Sequence, residues 1–428
     1  MPRLGALREV PYMGVIYVVA EAAKLGYFNG HPDWDNLGQG QPEVGPLPGA
    51  PPRLTRASFG IADCAYGPVH GMPELREAVA GLYNRTFRRG KRSKYGAENV
   101  AIAAGGRVSL SRAFAALGPV RFGYFTPDYT AYEDLFRFFP QVTPVHIPLP
   151  AAGGFAIPPA ELSRTVARER LKGLLVSNPC NPTGRTIRDG ELSAWVALAR
   201  ERDVTILFDE YYSQYAWEGP APVSAASHVE DVNRDPVLLF DGLTKNFRYP
   251  GWRLGWTVGP RDMIETVGCA GSAIDGGCPR PLQRAALKLL EPARARRETD
   301  AMRRAFRPKR DLLLRRLSEA GVRFPTPSEG TFYAFGSIAD LSPPLNDGMR
   351  FFREALHAKV LTVPGSFFDV NPNKRRKGPS PLSSWVRFSF GPPIPSVRRG
   401  VERLCGMIAG ARARRLHRMA APRSVVVR

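Results

Sequence analysis

The chain has few cysteines, and they are odd in number. Its five cysteines among 428 residues do not show the spacing of metal ligands. A small odd set of this kind argues against a disulfide framework and against a zinc site, and it is typical of a protein kept in a reducing compartment. We therefore expect a cytoplasmic protein that holds no metal.

Long hydrophobic runs are also missing. The longest apolar run near the start, Tyr12 to Ala20, is too short to span a bilayer and is followed by Glu21 and Lys24. It has no signal-peptide cleavage pattern. The run therefore predicts a helix of the mature protein, and no membrane is expected among the partners.

Acidic residues are outnumbered, with 39 Asp and Glu against 60 Lys and Arg and a net charge of +21. Such an excess is compatible with nucleic acid, an anionic membrane or a polyanionic substrate, or with a solvated arginine-rich surface. Much of it lies in three stretches, Arg294 to Arg316, Lys374 to Lys377 and Arg412 to Arg428. No helix-turn-helix, zinc-finger or ribonucleoprotein pattern accompanies the charge, so nucleic acid is not expected as a partner.

Apolar β-branched runs alternate with helical stretches from about residue 98 to 290, which predicts a mostly parallel sheet covered by helices. Near-continuous apolar strands are typical of strands buried on both faces. The predicted strands are Val100–Ala104, Val120–Thr126, Val142–Ile147, Gly173–Ser177, Thr205–Asp209, Val237–Asp241 and Leu254–Gly259, with helices at Leu110–Leu117, Glu191–Glu201 and Pro281–Leu290.

A different pattern follows a long Arg-rich helix predicted over roughly 292–320. It indicates a smaller α+β module with strands at Thr331–Phe335, Val360–Val363 and Val386–Phe390. The predicted organisation has three parts: an N-terminal arm that contributes to the small domain, a large α/β domain, and a small C-terminal domain with a basic insertion and a basic tail. Their bounds are 1–48, 49–295 and 296–428, with the insertion at 371–384.

The stretch from Asp241 to Trp256 places Lys245 and Arg253 inside an otherwise apolar and aromatic run. Desolvation lowers the pKa of a lysine, and a neutral buried amine is what Schiff-base formation with a carbonyl cofactor requires. A lysine that extends its amine to solvent at a strand end is the alternative.

Several other polar residues follow predicted strands, where ligands of parallel sheets gather. Asp209 can cap a loop, or it can hold the protonated ring nitrogen of a pyridoxal cofactor. Asn181 lies in the double Asn-Pro stretch 178–184, where the restricted backbone presents its amide rigidly. Its amide could donate to a phenolate oxygen.

Three further features can be structural or functional. Gly105-Gly106-Arg107, between a strand and a helix, is either a plain turn or a phosphate site at a helix N-terminus. Tyr129 is either a core aromatic or a ring that stacks on a cofactor. Arg387, on a predicted strand, is either an edge arginine or a fork that binds a substrate carboxylate.

Taken together, these residues resemble the fold type I pyridoxal phosphate (PLP) enzymes of the aspartate aminotransferase-like class I/II group. The resemblance covers nearly the whole chain. It is carried by Asn36-Leu-Gly-Gln-Gly-Gln-Pro-Glu43, Tyr66-Gly-Pro-Val-His-Gly71, Glu74-Leu-Arg76, Asn178–Gly184, Asp209–Tyr212, Lys245, Pro250-Gly-Trp-Arg253, Gly330-Thr-Phe-Tyr333 and Val386-Arg-Phe-Ser-Phe-Gly391.

The resemblance implies the fold of that family: a large domain with a mostly parallel seven-stranded sheet and a smaller α+β domain. It also implies a homodimer with shared active sites and a role for each site residue. Lys245 would form the internal aldimine and move the Cα proton, and Asp209 would pair with the pyridinium nitrogen. Around the cofactor, Asn181 and Tyr212 would bind the phenolate oxygen, Tyr129 would stack on the ring, and the phosphate would be held by Gly106, Arg107 and Arg253. Arg387 would bind the substrate carboxylate with Gly40 closing over it, and Tyr66 would reach the partner subunit's cofactor.

Two departures leave the reaction open. Gly242 stands where the family usually carries a serine whose hydroxyl binds the phosphate, and the insertion at 371–384 is either a solvated loop or a basic lid for a phosphate- or nucleoside-bearing substrate. Transfer of the amino group to a 2-oxo acid is the expected reaction. One alternative is a lyase or substitution enzyme acting on S-adenosylmethionine, similar to 1-aminocyclopropane-1-carboxylate synthase, and another is a PLP-dependent amino-acid oxidase; either would suit natural-product biosynthesis. A PLP-binding transcription regulator is a more remote alternative.

Overall fold

Helices and strands alternate along most of the computed structural model, which describes residues 14–219 and 221–420. The helices are α1 Val15–Ala23, α2 Pro73–Phe87, α3 Gly106–Ala116, α4 Ala131–Phe138, α5 Pro159–Arg168, α6 Asp189–Arg202, α7 Arg261–Ile274, α8 Arg280–Ala286, α9 Pro292–Glu319, α10 Gly348–His357 and α11 Ile394–Ala420. The strands are β1 Asp35–Asn36, β2 Val100–Ala103, β3 Val120–Thr126, β4 Val142–Pro148, β5 Gly173–Ser177, β6 Thr205–Asp209, β7 Val237–Gly242, β8 Gly255–Val258, β9 Tyr333–Ser337, β10 Val360–Leu361, β11 Val363–Pro364 and β12 Trp385–Ser389.

Seven strands form the large sheet in the order β2-β8-β7-β6-β5-β3-β4. Strands β3 to β7 run parallel to one another, whereas β8 is antiparallel to both of its neighbours, β2 and β7. Every residue of β5 and β7 is buried, which accounts for their continuous apolar sequences. The predicted α/β class, with a mostly parallel seven-stranded sheet, is therefore confirmed.

Two smaller sheets lie outside the large one. Strands β11, β12 and β9 form an antiparallel sheet, and the arm strand β1 pairs in parallel with β10. The strand predicted at Val360–Val363 is divided in two, because its first half pairs with β1 and its second half with β12. The strand predicted from Thr331 begins two residues later, since Thr331 has a φ of +65°, outside the extended region.

The domain bounds themselves remain a prediction, although the sheets fall on either side of them. All strands of the large sheet lie between residues 100 and 258, and the antiparallel sheet lies between residues 333 and 389. Helix α9 begins at Pro292 and crosses the predicted bound at 295/296 without a break. The predicted bound therefore falls inside a helix.

Both ends of the described chain are helical. The helix predicted from the run Tyr12 to Ala20 is α1, which begins at Val15; Tyr12 itself lies outside the described residues. Helix α11 continues into the basic tail as far as Ala420, and residues 421–428 of that tail lie outside the description. Within residues 14–219 and 221–420, no helix is both long and apolar enough to cross a membrane.

A buried carboxylate fastens the arm to the C-terminal helix. Asp35 on β1 is fully buried, and its oxygens accept hydrogen bonds from the guanidinium groups of Arg399, at 2.7 Å, and Arg403, at 3.0 Å. The Ser396 hydroxyl donates a third bond at 2.8 Å. Charge-assisted bonds of this kind are stronger than neutral ones. Asp35 thus fixes the arm segment that leads to the cavity described below.

Removing this charge should loosen the arm. The substitution Asp35→Asn keeps the shape but loses the charge, and we expect it to lower the free energy of unfolding by about 1–3 kcal/mol. Denaturant titration of the full chain measures this change. Asp33→Asn is the matched control, because Asp33 is exposed and pairs with the exposed Lys359 at 3.5 Å, and it should cost no more than about 0.5 kcal/mol. Equal effects of the two substitutions would contradict this role of Asp35.

Candidate active site

A cavity of about 720 Å³ lies where the carboxyl ends of β5, β6 and β7 meet the arm and the antiparallel sheet. This is the edge at which parallel sheets usually bind ligands. All of the predicted site residues except Tyr66 line it: Gly40, Gly106, Arg107, Tyr129, Asn181, Asp209, Tyr212, Lys245, Arg253 and Arg387.

Lys245 lies three residues after β7, with its amine at the cavity. The amine donates a hydrogen bond to the carbonyl oxygen of Gly40 in the arm. Burial, and after it the guanidinium groups of Arg387, Arg253 and Arg107, together lower the pKa of Lys245 to about 7, against a smaller opposing effect of Asp209. A neutral amine is therefore well populated near neutral pH.

Asp209 ends β6 and is 6% exposed. Its carboxylate accepts a hydrogen bond from the Tyr132 hydroxyl at 2.9 Å and a longer one from the backbone N–H of Tyr211 at 3.4 Å. Burial raises the pKa of Asp209 to about 6, although these donors favour the ionised form. A buried carboxylate held by neutral donors suits a cationic partner, and the protonated ring nitrogen of PLP would provide one.

Arg387 lies on β12 with its guanidinium group buried beside the cavity. Its Nη1 donates to the side-chain oxygen of Asn181 at 2.9 Å, and its Nη2 donates to the carbonyl oxygen of Gly38 at 2.8 Å. The group also packs on the ring of Tyr333, 3.9 Å from its centroid. A guanidinium group has five N–H donors, and the buried Nε of Arg387 has no hydrogen-bond partner. A carboxylate in the cavity would supply the missing acceptor.

Positive charge and backbone donors gather at the start of α3. Gly105, with a φ of +95°, turns the chain from β2 into the helix, so that the first N–H groups of α3 face the cavity end. Arg253 is held by a bond from its Nη1 to the Pro250 carbonyl oxygen at 3.0 Å. Arg107 donates to the Tyr129 hydroxyl at 3.1 Å. This arrangement suits a phosphate group.

Of the two remaining predicted residues, Tyr212 lies at the cavity and Tyr66 does not. The Tyr212 hydroxyl lies 3.1 Å from that of Tyr333, close to Arg387 and Asn181. Tyr66, by contrast, is 98% exposed and does not line the cavity.

Several residues that line the cavity were not predicted from the sequence. Tyr211, Thr244 and Tyr333 stand inside motifs that were recognised, yet their side chains were not assigned a place. The adjacent Tyr-Tyr after Asp209 was the available signal for Tyr211. An apolar wall also comes from α1 and the turn after it, and no pattern indicated that these residues face the site: Val15, Ile16, Val19, Tyr27 and Phe28.

The presence of glycine at position 242 has a structural reason. A Cβ at this position would lie 2.5 Å from the carbonyl oxygen of Leu254 and 2.6 Å from the Cα of Gly255. Both are backbone atoms of the neighbouring strand region, so they cannot turn aside as a flexible side chain would. Serine is thus excluded here unless β7 and β8 move apart.

Comparisons with known proteins agree with this geometry. Residues 32–404 match the family model described as aminotransferase class I and II. The aspartate/prephenate aminotransferase of Thermus thermophilus is 30% identical over 351 residues, 81% of this chain and 84% of the relative. The valine–pyruvate aminotransferase of Mycobacterium tuberculosis is 28% identical over 380 residues, 87% of this chain and 91% of the relative. A crystal structure of an aminotransferase from M. tuberculosis superposes with a TM-score of 0.77 at 25% identity, covering 96% of this chain and all of that one.

The lowered pKa of Lys245 can be tested in the chain freed of cofactor. Only the neutral amine reacts with an acylating reagent, so we expect Lys245 to be half-maximally reactive near pH 7 and fully reactive by about pH 8.5. Peptide mass spectrometry after brief labelling measures this. Lys24 is the control, because its hydrogen bond to Glu21 raises its pKa. If Lys245 became reactive over the same pH range as Lys24, the cavity would not depress its pKa.

Proposed function

Because the chain belongs to the class I and II aminotransferases, and is by that membership a PLP-dependent aminotransferase of fold type I, we propose a role for each residue of the cavity. The observation that carries the proposal is the meeting of Lys245, Asp209 and Arg387 in one cavity, although the sequence separates them widely. Each of the three is suited to a different part of the cofactor or substrate.

Lys245 is the catalytic residue of the proposal, as the attachment point of the cofactor and the base that moves the proton at the substrate Cα. Its lowered pKa supports both tasks, since each needs the amine without its proton. When bound, PLP withdraws electrons from the substrate Cα and so makes that proton easier to remove. Burial, together with Arg387, Arg253 and Arg107, lowers the pKa of this amine and so favours its neutral form.

The other cofactor contacts follow from the positions around Lys245. Asp209 holds the ring nitrogen, and the amide nitrogen of Asn181 and the Tyr212 hydroxyl face the ring oxygen. The Asn181 side-chain oxygen already accepts from Arg387, which leaves its amide nitrogen as the donor for this task. Tyr129 stacks on the ring, and Gly106, Arg107 and Arg253 hold the phosphate.

Arg387 binds the substrate α-carboxylate in this proposal, and the arm closes the site over it. The backbone of Gly38 already accepts from Arg387, and that of Gly40 accepts from Lys245. The arm therefore touches both the proposed carboxylate site and the proposed catalytic amine. A substrate that displaces these bonds would have to engage the arm as well.

The substrate side chain is proposed to be apolar or aromatic. Val15, Ile16, Val19 and Phe28 line the cavity on the arm side, where the side chain of a substrate held by Arg387 would extend. Burial of such a side chain contributes about 1.5–3 kcal/mol to binding. The relatives include aspartate/prephenate and valine–pyruvate aminotransferases, and an apolar wall favours substrates of the second kind.

A phosphate- or nucleoside-bearing substrate finds less support. No residue of the insertion 371–384 is among those that line the cavity in the described chain. Lys374 in this insertion pairs with Glu133 at 2.5 Å, and Arg376 pairs with Asp369 at 2.6 Å. Both cationic side chains therefore already form ion pairs with carboxylates of the protein itself.

The homodimer remains part of the proposal. Tyr66 is 98% exposed and Ile61 is 91% exposed, and Phe59 beside them is more than half exposed. Large apolar groups this exposed and this close in the sequence are typical of a surface covered by a partner. A second copy of the chain that covers them would bring Tyr66 to the partner's phosphate site. The five cysteines are free in the structure, which suits the proposed reducing cytoplasm.

A substrate panel tests the reaction. PLP-loaded protein is incubated with single amino acids and a 2-oxo acid acceptor, and the products are identified by mass spectrometry. We expect amino transfer, faster for apolar and aromatic amino acids than for aspartate, because of the wall contributed by α1.

Other products of the panel would identify the alternatives. Release of methylthioadenosine from S-adenosylmethionine would indicate the lyase, and oxygen uptake with ammonia would indicate the oxidase. A salt-sensitive shift of DNA with no turnover would indicate the regulator. Any of these in place of amino transfer would contradict the proposed reaction.

Arg387→Lys tests the carboxylate site. Lysine keeps the charge but loses the fork of donors, so kcat/KM for the best amino acid should fall about 30- to 1,000-fold. The slow reaction of the corresponding amine without a carboxylate should not change. Arg376→Lys, which lies outside the cavity, is the matched control and should retain full activity. Equal losses with the amino acid and the amine would argue against carboxylate binding by Arg387.

A further inference from the structure

One buried hydroxyl at the phosphate end of the cavity lacks a well-formed hydrogen bond. Tyr211 follows Asp209 by two residues and is 6% exposed. Its side-chain oxygen is buried and makes no hydrogen bond of ordinary length and angle in the described structure, although the Ser109 side chain lies close enough to lower the pKa of the phenol slightly. The residue lines the same cavity as Gly106, Thr244 and Arg253. A buried hydroxyl without a well-formed hydrogen bond is costly to the folded state, so its presence calls for an explanation.

Three glycines from different elements make room for the Tyr211 ring. A Cβ at Gly106, the first residue of α3, would lie 2.6 Å from the ring carbons and 2.8 Å from the hydroxyl oxygen. A Cβ at Gly255 on β8 would collide with the same oxygen, and one at Gly242 on β7 would lie 3.0 Å from it. The hydroxyl is therefore located at the junction of α3, β7 and β8, beside the helix N-terminus.

The position of the Tyr211 hydroxyl next to Gly242 indicates what the hydroxyl could bind. By the family resemblance, a serine whose hydroxyl binds the phosphate is expected at the position of Gly242. A serine side chain at residue 242 would start from a Cβ only 3.0 Å from the Tyr211 oxygen. Tyr211 and such a serine would thus place a hydroxyl in the same region, and the chain has room for one of them.

We propose that the Tyr211 hydroxyl donates a hydrogen bond to the cofactor phosphate, in place of the serine hydroxyl that Gly242 removes. The inference rests on the proposed function, because it requires PLP in this cavity. Burial also raises the pKa of Tyr211 well above its usual range, so the phenol keeps the proton that it would donate. The phosphate would then receive a hydroxyl donor beside Arg253 and the first N–H groups of α3.

The test compares cofactors with and without the phosphate. The full chain is dialysed free of PLP and titrated with PLP and with unphosphorylated pyridoxal, and quenching of tryptophan fluorescence gives the dissociation constants. Tyr211→Phe keeps the ring in its glycine-lined space and removes only the oxygen. We expect the Kd for PLP to rise about 10- to 100-fold and the Kd for pyridoxal to stay unchanged.

Tyr95→Phe is the matched control. Tyr95 is 4% exposed, its hydroxyl is also buried without a partner, and it does not line the cavity. This variant should bind both compounds as the wild type does. Circular dichroism and thermal unfolding of the cofactor-free chains establish that both variants are folded.

Three outcomes would overturn the inference. Unchanged PLP affinity in Tyr211→Phe removes the proposed bond, and equal weakening for PLP and pyridoxal makes Tyr211 a packing residue. If the wild type itself does not prefer PLP to pyridoxal, the proposed function fails, and the inference fails with it.

Should Tyr211→Phe not fold, 3-fluorotyrosine at position 211 gives the answer in an otherwise unchanged chain. Its fluorine resonance should shift with PLP but not with pyridoxal, and equal shifts would contradict the bond.

Discussion

The amine of Lys245 lies out of bulk water and within the field of three guanidinium groups, and the rest of the site is arranged around this constraint. Arg387, Arg253 and Arg107 all disfavour the ammonium form, and Asp209 only partly offsets them. The same cavity therefore holds an excess of positive charge at two places and a buried carboxylate at a third. A cofactor with a phosphate and a protonated ring nitrogen, and a substrate with a carboxylate, complement all three.

This charge arrangement depends on contacts between distant segments. Strands β6 and β7 bring Asp209 and Lys245 to one sheet edge, β12 delivers Arg387 from the antiparallel sheet, and the arm closes the cavity with backbone carbonyl groups. Asp35, bound to α11, anchors the arm strand near those carbonyl groups. The small sheets therefore contribute to the site as directly as the large one does.

Much of this site could be predicted from the sequence, because parallel strands bring their carboxyl ends together. Asp209, Asn181 and Lys245 each follow an apolar strand, and that position alone places them at one edge. Features that depend on packing between elements could not be predicted. The space around Tyr211 and the exclusion of a serine at Gly242 arise from the approach of α3, β7 and β8, which no local pattern encodes. For the same reason, the sequence did not indicate that the apolar residues of α1 line the cavity, or that the strand at Val360 changes partners.

The central claim is that Lys245 carries the cofactor, and trapping the attachment tests it most directly. PLP-loaded protein is reduced with borohydride, digested and analysed by peptide mass spectrometry. The account predicts a stable phosphopyridoxyl group on the peptide that contains Lys245, at close to one group per chain, and none on that peptide in Lys245→Ala. Attachment chiefly at another lysine, with Lys245 unmodified, would contradict it.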